Sequence, residues 1–586
     1  MSVKLDVIPI ETDVLIIGGG LAGCMAGIKA REAGVDVTLA EKGNAVRSGQ
    51  AGTGIDHMWA YVPPVHGKMG WTLEDLIEDH VRGQAYGFIN REVLYKVARE
   101  SFNRVMDLEK MGINFRYDDS PLPGKFRLVP QFHSVPSSFN FDGRNIKPIL
   151  SREAAKRGVR LLNRVMMTDL LVTDGQISGA LGVGTRTGEI YHFKAKAVIL
   201  CTGRRGRMCR NVTGVDFNVP RSPSETGDGH MMALRAGCRL INVEFISPMF
   251  LNIGPYQQSM GAPRSTTWPA GALIGADGKT IIRKSFFTNW EKYLGEGAPK
   301  INGAQRREKW LAAIKGWPSF MERWRRGEGP FFLDCTGGSE EEIKYVEWSI
   351  FHEGKGWLFL RHLQEEGLDL RKDKIEFTLN NPQMGGSGSS GAMVDGNLET
   401  GIKGLYVAGD EMGGFPWGSS QAAVGTGWFT GEMAARHAQT RAGYLPQDTG
   451  RLESLVERVS NIAESKIGVP WKEVERAVQD IVDFYRMGAV NEHTLKRGID
   501  RIKDLRENVF LKATTPHEIT RCLEVISIMD NSELALRASL ERKETRKTPF
   551  EFVRVDYPEQ DDQNWYAFLS VQLQDGELKF SRIPLK

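Results

Sequence analysis

The sequence has few cysteines, no long apolar run and no excess of charge of one sign. Its six cysteines are scattered through 586 residues without a Cys-x-x-Cys pair, so we expect no metal site and no iron–sulfur cluster held by this chain alone. No run of about 18 apolar residues is present to span a membrane. The 76 basic and 73 acidic side chains leave a net charge of +3, which favours no nucleic-acid partner.

The first residues also lack a basic segment followed by an apolar stretch and a small-residue cleavage site. Scattered cysteines suit a reducing compartment, where thiols stay free. The sequence therefore predicts a cytoplasmic protein. We expect any association with the inner face of the membrane to be indirect, through a partner.

Glycine, by contrast, is abundant at 65 residues, and three glycines form a phosphate-binding turn. Residues 12–19 predict a buried strand, Gly18, Gly20 and Gly23 follow in the spacing G-x-G-x-x-G, and a helix comes next. This turn requires glycine because the backbone folds tightly and approaches a pyrophosphate at the helix N-terminus. Glu41 ends the second predicted strand, where its carboxylate can accept both ribose hydroxyls. The pattern predicts an adenine dinucleotide cofactor.

Later segments favour FAD over a nicotinamide cofactor. Residues 47–54 form a small-residue loop suited to threading beneath a flavin. Residues 196–203 and 404–410 predict two further buried strands with polar ends, and 425–428 predict a helix start that could stabilise negative charge on a reduced flavin. The cofactor-binding candidates from these segments and their surroundings are Lys42, Ser48, Gln50, Gly52, Thr202, Gly203, Asp228, Asp410, Gly425 and Thr426.

This order of segments resembles the flavoprotein family that includes the catalytic subunits of fumarate reductase and succinate dehydrogenase, L-aspartate oxidase and adenylylsulfate reductase. Residues 383–386 resemble the family's segment before its last FAD strand, and 537–546 with 556–562 resemble its C-terminal helical region. The resemblance implies an α/β FAD-binding Rossmann-like domain of the glutathione-reductase type, with an inserted α+β capping domain and a C-terminal helical domain. The expected bounds are 1–241 and 376–440 for the FAD-binding domain, 242–375 for the capping domain, 441–548 for the helical domain and 549–586 for a C-terminal tail.

The sequence departs from this family where flavin and dicarboxylates are bound. Gly49 stands where fumarate reductases carry the histidine that bonds FAD covalently, which implies non-covalent FAD and a likeness nearer to the alpha chain of adenylylsulfate reductase. The family's His-Pro-Thr segment is replaced by 244–250, its histidine before Met-Gly-Gly falls at Asn381, and its last arginine falls at Ala423. Two carboxylates need fixed cationic donors, so the departures predict a substrate other than fumarate or succinate.

Three side chains are candidates for catalytic proton or charge chemistry. His57 follows the flavin loop, His133 lies in a proline-rich loop, and Arg264 lies in a cap loop where it can hold an anionic group. Each has a structural alternative: a local bond from His57 to Asp56, a packing or surface role for His133, and a solvated Arg264. Aromatic residues expected near the flavin or cap suggest a flat or hydrophobic substrate, although core packing explains them equally: Trp59, Tyr61, Phe132, Phe250, Tyr256 and Trp268.

A basic run follows the predicted strand at 196–203. We interpret it as a solvated face, with docking of an acidic partner or a phosphate-bearing substrate as the alternative. The run consists of Arg204, Arg205, Arg207 and Arg210.

Together these patterns predict an FAD-dependent oxidoreductase that transfers hydride or electrons between FAD and a small organic substrate. The chain has no cluster-binding cysteines, haem-attachment motif or FMN module, so the resemblance implies a separate iron–sulfur, ferredoxin-like subunit. Three alternatives stay open: an adenylylsulfate reductase-like enzyme, a standalone flavin oxidase and a non-catalytic electron-transfer flavoprotein subunit. The predicted cap argues against the last, because an electron relay needs no substrate chamber.

Overall fold

The computed structural model describes the whole chain except residues 1–5, 84, 121, 130–132, 134, 211–215, 218, 220–221, 248–250, 254–255, 258–270, 284–321, 325, 353–355, 380–382, 385–388, 547–551 and 586. Five residues that the sequence singled out therefore lie outside the described residues: Phe132, Phe250, Arg264, Trp268 and Asn381.

The FAD-binding domain is built on a mixed sheet of seven described strands, in the order β6-β2-β1-β9-β8-β7 with β20 beside β9. The strands up to residue 200 are β1 (Val7–Ile17), β2 (Val37–Glu41), β3 (His57–Trp59), β4 (Leu128–Val129), β5 (Ser138–Asn140), β6 (Arg160–Asn163), β7 (Val165–Thr173), β8 (Gln176–Gly184) and β9 (Ile190–Leu200). Strand β1 pairs in parallel with β2 and β9, and its apolar end is buried on both faces, as expected of a central parallel strand.

Helices pack against this sheet and against one another. Those before residue 200 are α1 (Leu21–Glu32), α2 (Pro63–His66), α3 (Leu73–Gly83), α4 (Arg91–Lys110) and α5 (Ile146–Lys156). After the cap, the chain returns through β20 (Leu405–Val407) and α9 (Ser419–Gln439). Glycine lets α1 and α9 approach closely, because a Cβ at Gly427 would lie 2.3 Å from the Ala22 carbonyl oxygen.

The inserted capping region has its own sheet and core. Its elements and the strands beside it are α6 (Asp228–Arg235), β10 (Leu240–Ile241), β11 (Ile246–Ser247), β12 (Leu251–Ile253), β13 (Tyr256–Gln257), β14 (Ala272–Ile274), β15 (Thr280–Arg283), β16 (Phe331–Asp334), α7 (Glu340–His352), α8 (Gly356–Glu366), β17 (Lys374–Leu379), β18 (Gln383–Met384) and β19 (Gly391–Ala392). Antiparallel pairing runs in the order β13-β12-β17-β16-β14-β15. Leu333 of β16 packs with Val346 of α7 and Phe359 of α8 in a core separate from that of the FAD-binding domain.

The C-terminal part is a helical bundle followed by a hairpin. Its elements are α10 (Gly450–Glu464), β21 (Val469–Pro470), α11 (Trp471–Tyr485), β22 (Ala489–Val490), α12 (Glu492–Asn508), β23 (Leu511–Lys512), α13 (Pro516–Glu541), β24 (Val553–Arg554), α14 (Asp562–Trp565), β25 (Ala567–Gln574) and β26 (Glu577–Pro584). Val474, Val478 and Val482 recur every four residues on α11 and form its buried stripe. Residues 549–586, which the sequence predicted as a C-terminal tail, contain β25. This strand pairs with β26 and with β10 and is therefore part of a sheet.

The described architecture is the predicted one: a Rossmann-like FAD-binding domain, an inserted α+β cap and a helical domain. None of the described helices combines the length and the hydropathy needed to cross a membrane.

Candidate functional site

A cleft of about 1370 Å³ opens at the carboxyl edge of the central sheet. Because β1, β2, β9 and β20 run parallel, their ends and the loops that follow them meet there. Nine of the predicted cofactor-binding residues line this cleft: Gly18, Gly20, Glu41, Lys42, Gln50, Thr202, Gly203, Asp228 and Asp410.

The glycine turn leaves the start of α1 open to the cleft. Gly18 has φ +104°, and a Cβ there would lie 2.4 Å from the Cys201 carbonyl oxygen. A Cβ at Gly20 would meet no heavy atom within 4 Å, so this position faces open space. A Cβ at Gly23 would lie 1.9 Å from the Gly18 carbonyl oxygen, so glycine lets the helix pack on the turn. The turn thus combines free helix N–H groups with room for a phosphate.

Glu41 is held at the end of β2 by two backbone donors. Its carboxylate accepts hydrogen bonds of 2.6 Å from the N–H groups of Gly19 and Gly43. The side chain is buried and lines the cleft. This geometry fixes a carboxylate where it can accept hydrogen bonds from the hydroxyls of a ribose.

Lys42 links the cleft to the helical domain through two carboxylates. Its Nζ lies 2.7 Å from Asp228 Oδ2 and 2.9 Å from Glu524 Oε1. Burial alone would lower the pKa of Lys42, but the two carboxylates raise it above its usual range. Asp228 Oδ1 is buried and has no hydrogen-bond partner among the residues described, so this oxygen is an available acceptor in the cleft wall.

A second polar cluster surrounds Asp410, just after β20. Gln50 Nε2 donates to Asp410 Oδ2 at 2.9 Å, and Arg204 contacts the same oxygen at 2.7 Å. These contacts tie the flavin loop, the end of β9 and the end of β20 together at one edge of the sheet.

The first residue of α9 and the turn just before it carry backbone strain at the cleft. Trp417 has φ +60° and Ser419 has φ +55°, both rare for residues other than glycine. Ser419 lines the cleft, and no described residue forms a hydrogen bond with its buried Oγ. Sequence reasoning missed this segment, although the Gly-Ser-Ser that precedes an alanine-rich stretch is a signal of a helix start.

The prediction that α9 begins near Gly425 is wrong, because the helix begins at Ser419 and Gly425 lies inside it. Packing against α1 and α4 outweighs the low helix propensity of the glycines. Thr426 Oγ1 accepts a 2.9 Å hydrogen bond from the Gly409 N–H and donates to the Ala422 carbonyl, so it orients the loop after β20 from behind the cleft.

Two further predicted residues shape the flavin loop without lining the cleft. Ser48 Oγ donates to the Gly19 carbonyl at 3.0 Å and so ties the loop to the glycine turn. A Cβ at Gly52 would lie 2.1 Å from the Arg47 carbonyl oxygen, so only glycine fits this turn of the loop.

His57 is buried on β3, and its Nδ1 contacts the Asp56 carboxylate. Its backbone carbonyl accepts a 2.9 Å hydrogen bond from Ser420 Oγ, which connects β3 to the start of α9. His57 thus lies beside the cleft wall. It forms the local pair with Asp56, which is the structural alternative to a catalytic role.

His133 is buried with His80 and Trp59 in an aromatic cluster. Its Nε2 lies 3.2 Å from His80 Nδ1, and its Nδ1 lies 2.7 Å from Ser137 Oγ. His80 Nε2 donates to the Pro416 carbonyl at 3.1 Å, so His80 Nδ1 accepts from His133. Burial lowers the pKa of His80 to about 4 and the pKa of His133 well below its usual value, so both rings are neutral at pH 7. His133 is therefore not a surface residue.

The remaining aromatic candidates are divided between core and cap. Trp59 is fully buried and donates from Nε1 to the Gly418 carbonyl at 2.9 Å. Tyr61 is half-buried, and its hydroxyl donates to the Trp71 carbonyl at 3.2 Å. Tyr256 begins β13, where the structure describes only the backbone.

Glu411, which sequence reasoning did not single out, forms a buried pair with His230 behind the cleft. Its carboxyl accepts a 3.0 Å hydrogen bond from the Thr202 N–H and lies 3.1 Å from His230 Nδ1. Burial raises the pKa of Glu411 to about 8, and burial lowers the pKa of His230 to about 3. Both groups are therefore neutral at pH 7.

The arginine run after β9 is largely buried, so the prediction of a solvated face is wrong for three of its four members. The buried members are Arg204, Arg205 and Arg207, whereas Arg210 is exposed. Arg207 donates to Glu475 at 3.0 Å and to Glu524 at 2.7 Å. These carboxylates, far away in sequence, compensate the cost of burying the charge.

Glu244, at the start of the replaced His-Pro-Thr segment, points into another buried ionic network. Its Oε1 accepts a 2.6 Å hydrogen bond from Arg542 Nε, and both side chains are fully buried. Burial raises the pKa of Glu244 more than the charge of Arg542 lowers it, so the pKa lies above its usual range. This residue joins the start of the predicted capping domain to the C-terminal part and does not line the cleft.

Comparison with known proteins assigns the class and then the family. Residues 13–301 match the FAD binding domain, and residues 472–586 match the fumarate reductase flavoprotein C-terminal domain. The chain is an FAD-dependent oxidoreductase flavoprotein. With both domains in this order, it belongs to the family of fumarate reductase and succinate dehydrogenase flavoprotein subunits.

Relatives along the whole chain agree with this assignment. A CoM/CoB fumarate reductase subunit of Methanothermobacter marburgensis is 25% identical over 575 residues, which cover 94% of this chain and 95% of the relative. The fold is similar to adenylylsulfate reductase from Archaeoglobus fulgidus, with a TM-score of 0.82, 23% identity and coverage of 99% and 97% of the two chains. It is also similar to the quinol fumarate reductase flavoprotein of E. coli, with a TM-score of 0.78, 20% identity and coverage of 99% and 97%.

Proposed function

We propose that the chain is the catalytic flavoprotein subunit of a two-component oxidoreductase, and that its substrate is a small organic molecule other than fumarate or succinate. One observation supports the proposal that the substrate is not fumarate or succinate: Ala423 lines the cleft where the family resemblance places an arginine. Lys42 and Arg204 are the cations among the described lining residues, and each lies 2.7 Å from a carboxylate, Asp228 or Asp410. A dicarboxylate needs cations that are not already neutralised.

The cleft fits FAD on observations independent of any family likeness. Asp228 Oδ1 and Ser419 Oγ are buried polar atoms that lack hydrogen-bond partners in the part of the chain that the structure describes, and their residues line the cleft. Gly20 leaves the start of α1 uncovered. Such unpaired groups cost free energy unless a ligand satisfies them, and FAD carries hydroxyl, phosphate and ring groups that do so.

Each part of the cleft has a role in holding this cofactor. Glu41 would accept the hydroxyls of the adenosine ribose, and the turn at Gly18 would hold the pyrophosphate at the start of α1. Asp228 would accept a further hydroxyl. Bound FAD supplies the transfer of hydride or electrons. Gly49 has no side chain to bond to the flavin, which supports non-covalent binding.

The resemblance also underlies the proposed partner, a separate ferredoxin-like iron–sulfur subunit. All six cysteines of the chain are buried and none forms a disulfide. Buried thiols in separate parts of the fold are poorly placed to serve together as cluster ligands, which supports assigning the cluster to another chain.

Purification from the native host, followed by mass spectrometry of co-purifying proteins and metal analysis, tests the partner. A ferredoxin-like subunit with stoichiometric iron is the expected result. An iron-free single chain that produces peroxide in air would overturn the proposal in favour of a standalone oxidase.

Anaerobic stopped-flow measurement of flavin absorbance tests the substrate. The reduced protein is mixed in separate experiments with fumarate, with adenylylsulfate, and with flat or hydrophobic electron acceptors. We expect no rapid reoxidation by fumarate. Rapid reoxidation by fumarate would refute the substrate proposal, and a flavin that responds to no small molecule would favour an electron relay.

A further inference from the structure

A second pocket lies next to the Glu41 end of the cofactor cleft, between the FAD-binding domain and helix α13. Its volume is about 870 Å³. Lys42 and Ser224 line both this pocket and the cleft, so the two cavities share a wall. The far wall is the first two turns of α13, from Thr515 to Arg521. We refer to this cavity as the α13 pocket.

The α13 pocket is lined by more positive than negative charge. Its permanent cations are Lys42, Arg164, Arg186 and Arg521, and its carboxylate is Glu524. Glu524 is already neutralised, because it lies 2.9 Å from Lys42, 2.6 Å from Arg521 and 2.7 Å from Arg207. These cations hold the pKa of Glu524 well below its usual range in spite of its burial.

Arg164 and Arg186 add charge that no described carboxylate compensates. Both side chains are exposed at the pocket rim, and neither forms an ion pair with a described residue. Their loops are held together, because the Thr185 N–H donates to the Arg164 carbonyl at 2.8 Å. Two guanidinium groups on adjoining loops can bind one anion from two sides.

Thr520 supplies an independent sign of a ligand. This residue lines the pocket and is only 3% exposed, yet its Oγ1 has no hydrogen-bond partner among the described residues. A buried hydroxyl without a partner is unfavourable in a folded protein, which indicates that something else accepts its hydrogen bond. The hydroxyl lies on the second turn of α13, whose 26 residues direct the positive end of the helix dipole toward the same space.

We propose that the α13 pocket binds a phosphate group, either as inorganic phosphate or as part of a nucleotide. Phosphate matches the donors present, because guanidinium groups bind its oxygens in pairs and the Thr520 hydroxyl can donate to a further oxygen. The pocket is open to solvent, so a nucleoside attached to the phosphate can extend out of it. The phosphate site is independent of the substrate of the flavin.

Isothermal titration of the FAD-loaded protein tests the proposal, with inorganic phosphate and ADP as ligands and sodium chloride at matched ionic strength as the blank. We expect saturable binding with one site per chain. Equal affinity for the two ligands would assign the pocket to free phosphate, and tighter binding of ADP would assign it to a nucleotide. Absence of binding above the chloride blank would overturn the proposal.

Two substitutions locate the binding. Arg186→Gln removes a rim cation and should weaken the affinity about tenfold, whereas Arg497→Gln, an exposed arginine of α12 outside the pocket, should leave it unchanged. Thr520→Val should weaken it roughly fivefold, and Thr520→Ser, which keeps the hydroxyl, should restore it. Unchanged affinity in both Arg186→Gln and Thr520→Val would overturn the assignment, even if binding itself is observed.

Discussion

Replacing Glu411 by glutamine should make the stability of this protein less dependent on pH. The buried carboxyl accepts from the Thr202 N–H and faces His230 Nδ1 at 3.1 Å. An amide is close in shape to the protonated acid and accepts the same hydrogen bond from Thr202. The substitution therefore keeps the contacts of the neutral form and removes the proton equilibrium.

The sign of the effect follows from where the proton is bound. The pKa of Glu411 rises from 4.5 to about 8 on folding. Below pH 4.5 both states carry the proton, and the full stability is present. Between pH 4.5 and 8 the unfolded chain is ionised while the folded chain keeps the proton, so the free energy of unfolding falls by about 1.4 kcal/mol per pH unit. From about pH 5 to 8 the parent should lose about 4 kcal/mol relative to the variant.

Differential scanning calorimetry at several pH values between about 5 and 8 measures this loss. At about 2.1 cal/mol/K per residue, unfolding of the whole chain as one unit has an entropy of about 1.2 kcal/mol/K, so about 4 kcal/mol corresponds to about 3 °C in Tm. Unfolding of a smaller unit would give a larger shift. Glu453→Gln, which replaces an exposed carboxylate on α10, is the matched control. A Tm difference between parent and Glu411→Gln that stays constant within about 1 °C over this pH range would refute the reasoning.

Three further outcomes test the cofactor site. Lys42→Met removes one cation from Asp228 and Glu524, but Glu524 keeps Arg207 and Arg521. The variant should lower the free energy of unfolding by about 1–3 kcal/mol, measured by denaturant titration, and an unchanged value would contradict the role of Lys42. Glu41→Gln weakens the ribose acceptor and should raise the Kd for FAD about tenfold or more in a fluorescence titration, and an unchanged Kd would remove Glu41 from the site. Acid precipitation should release the flavin into the supernatant because Gly49 offers no side chain, whereas a fluorescent protein band on a denaturing gel would show a covalent bond.

Local sequence was sufficient where the chemistry depends on neighbouring residues. The turn from Gly18 to Gly23 and the acid at Glu41 lie within one strand–helix–strand unit, and short-range steric limits on the backbone decide its shape. The cofactor and the fold could therefore be predicted from the chain, and the cleft lining places those residues together.

Only the tertiary structure decided the charge state and burial of other groups, because their partners lie far away in sequence. Arg207 is buried because Glu475 and Glu524 reach it from the helical domain, and this could not be read from a run of arginines. Helix α9 begins at Ser419 and not at the predicted Gly425, because tertiary packing outweighed the low helix propensity of its glycines. Glu411 keeps its proton because the folded chain excludes water around it, and the cost of burying a charge then exceeds the cost of binding a proton.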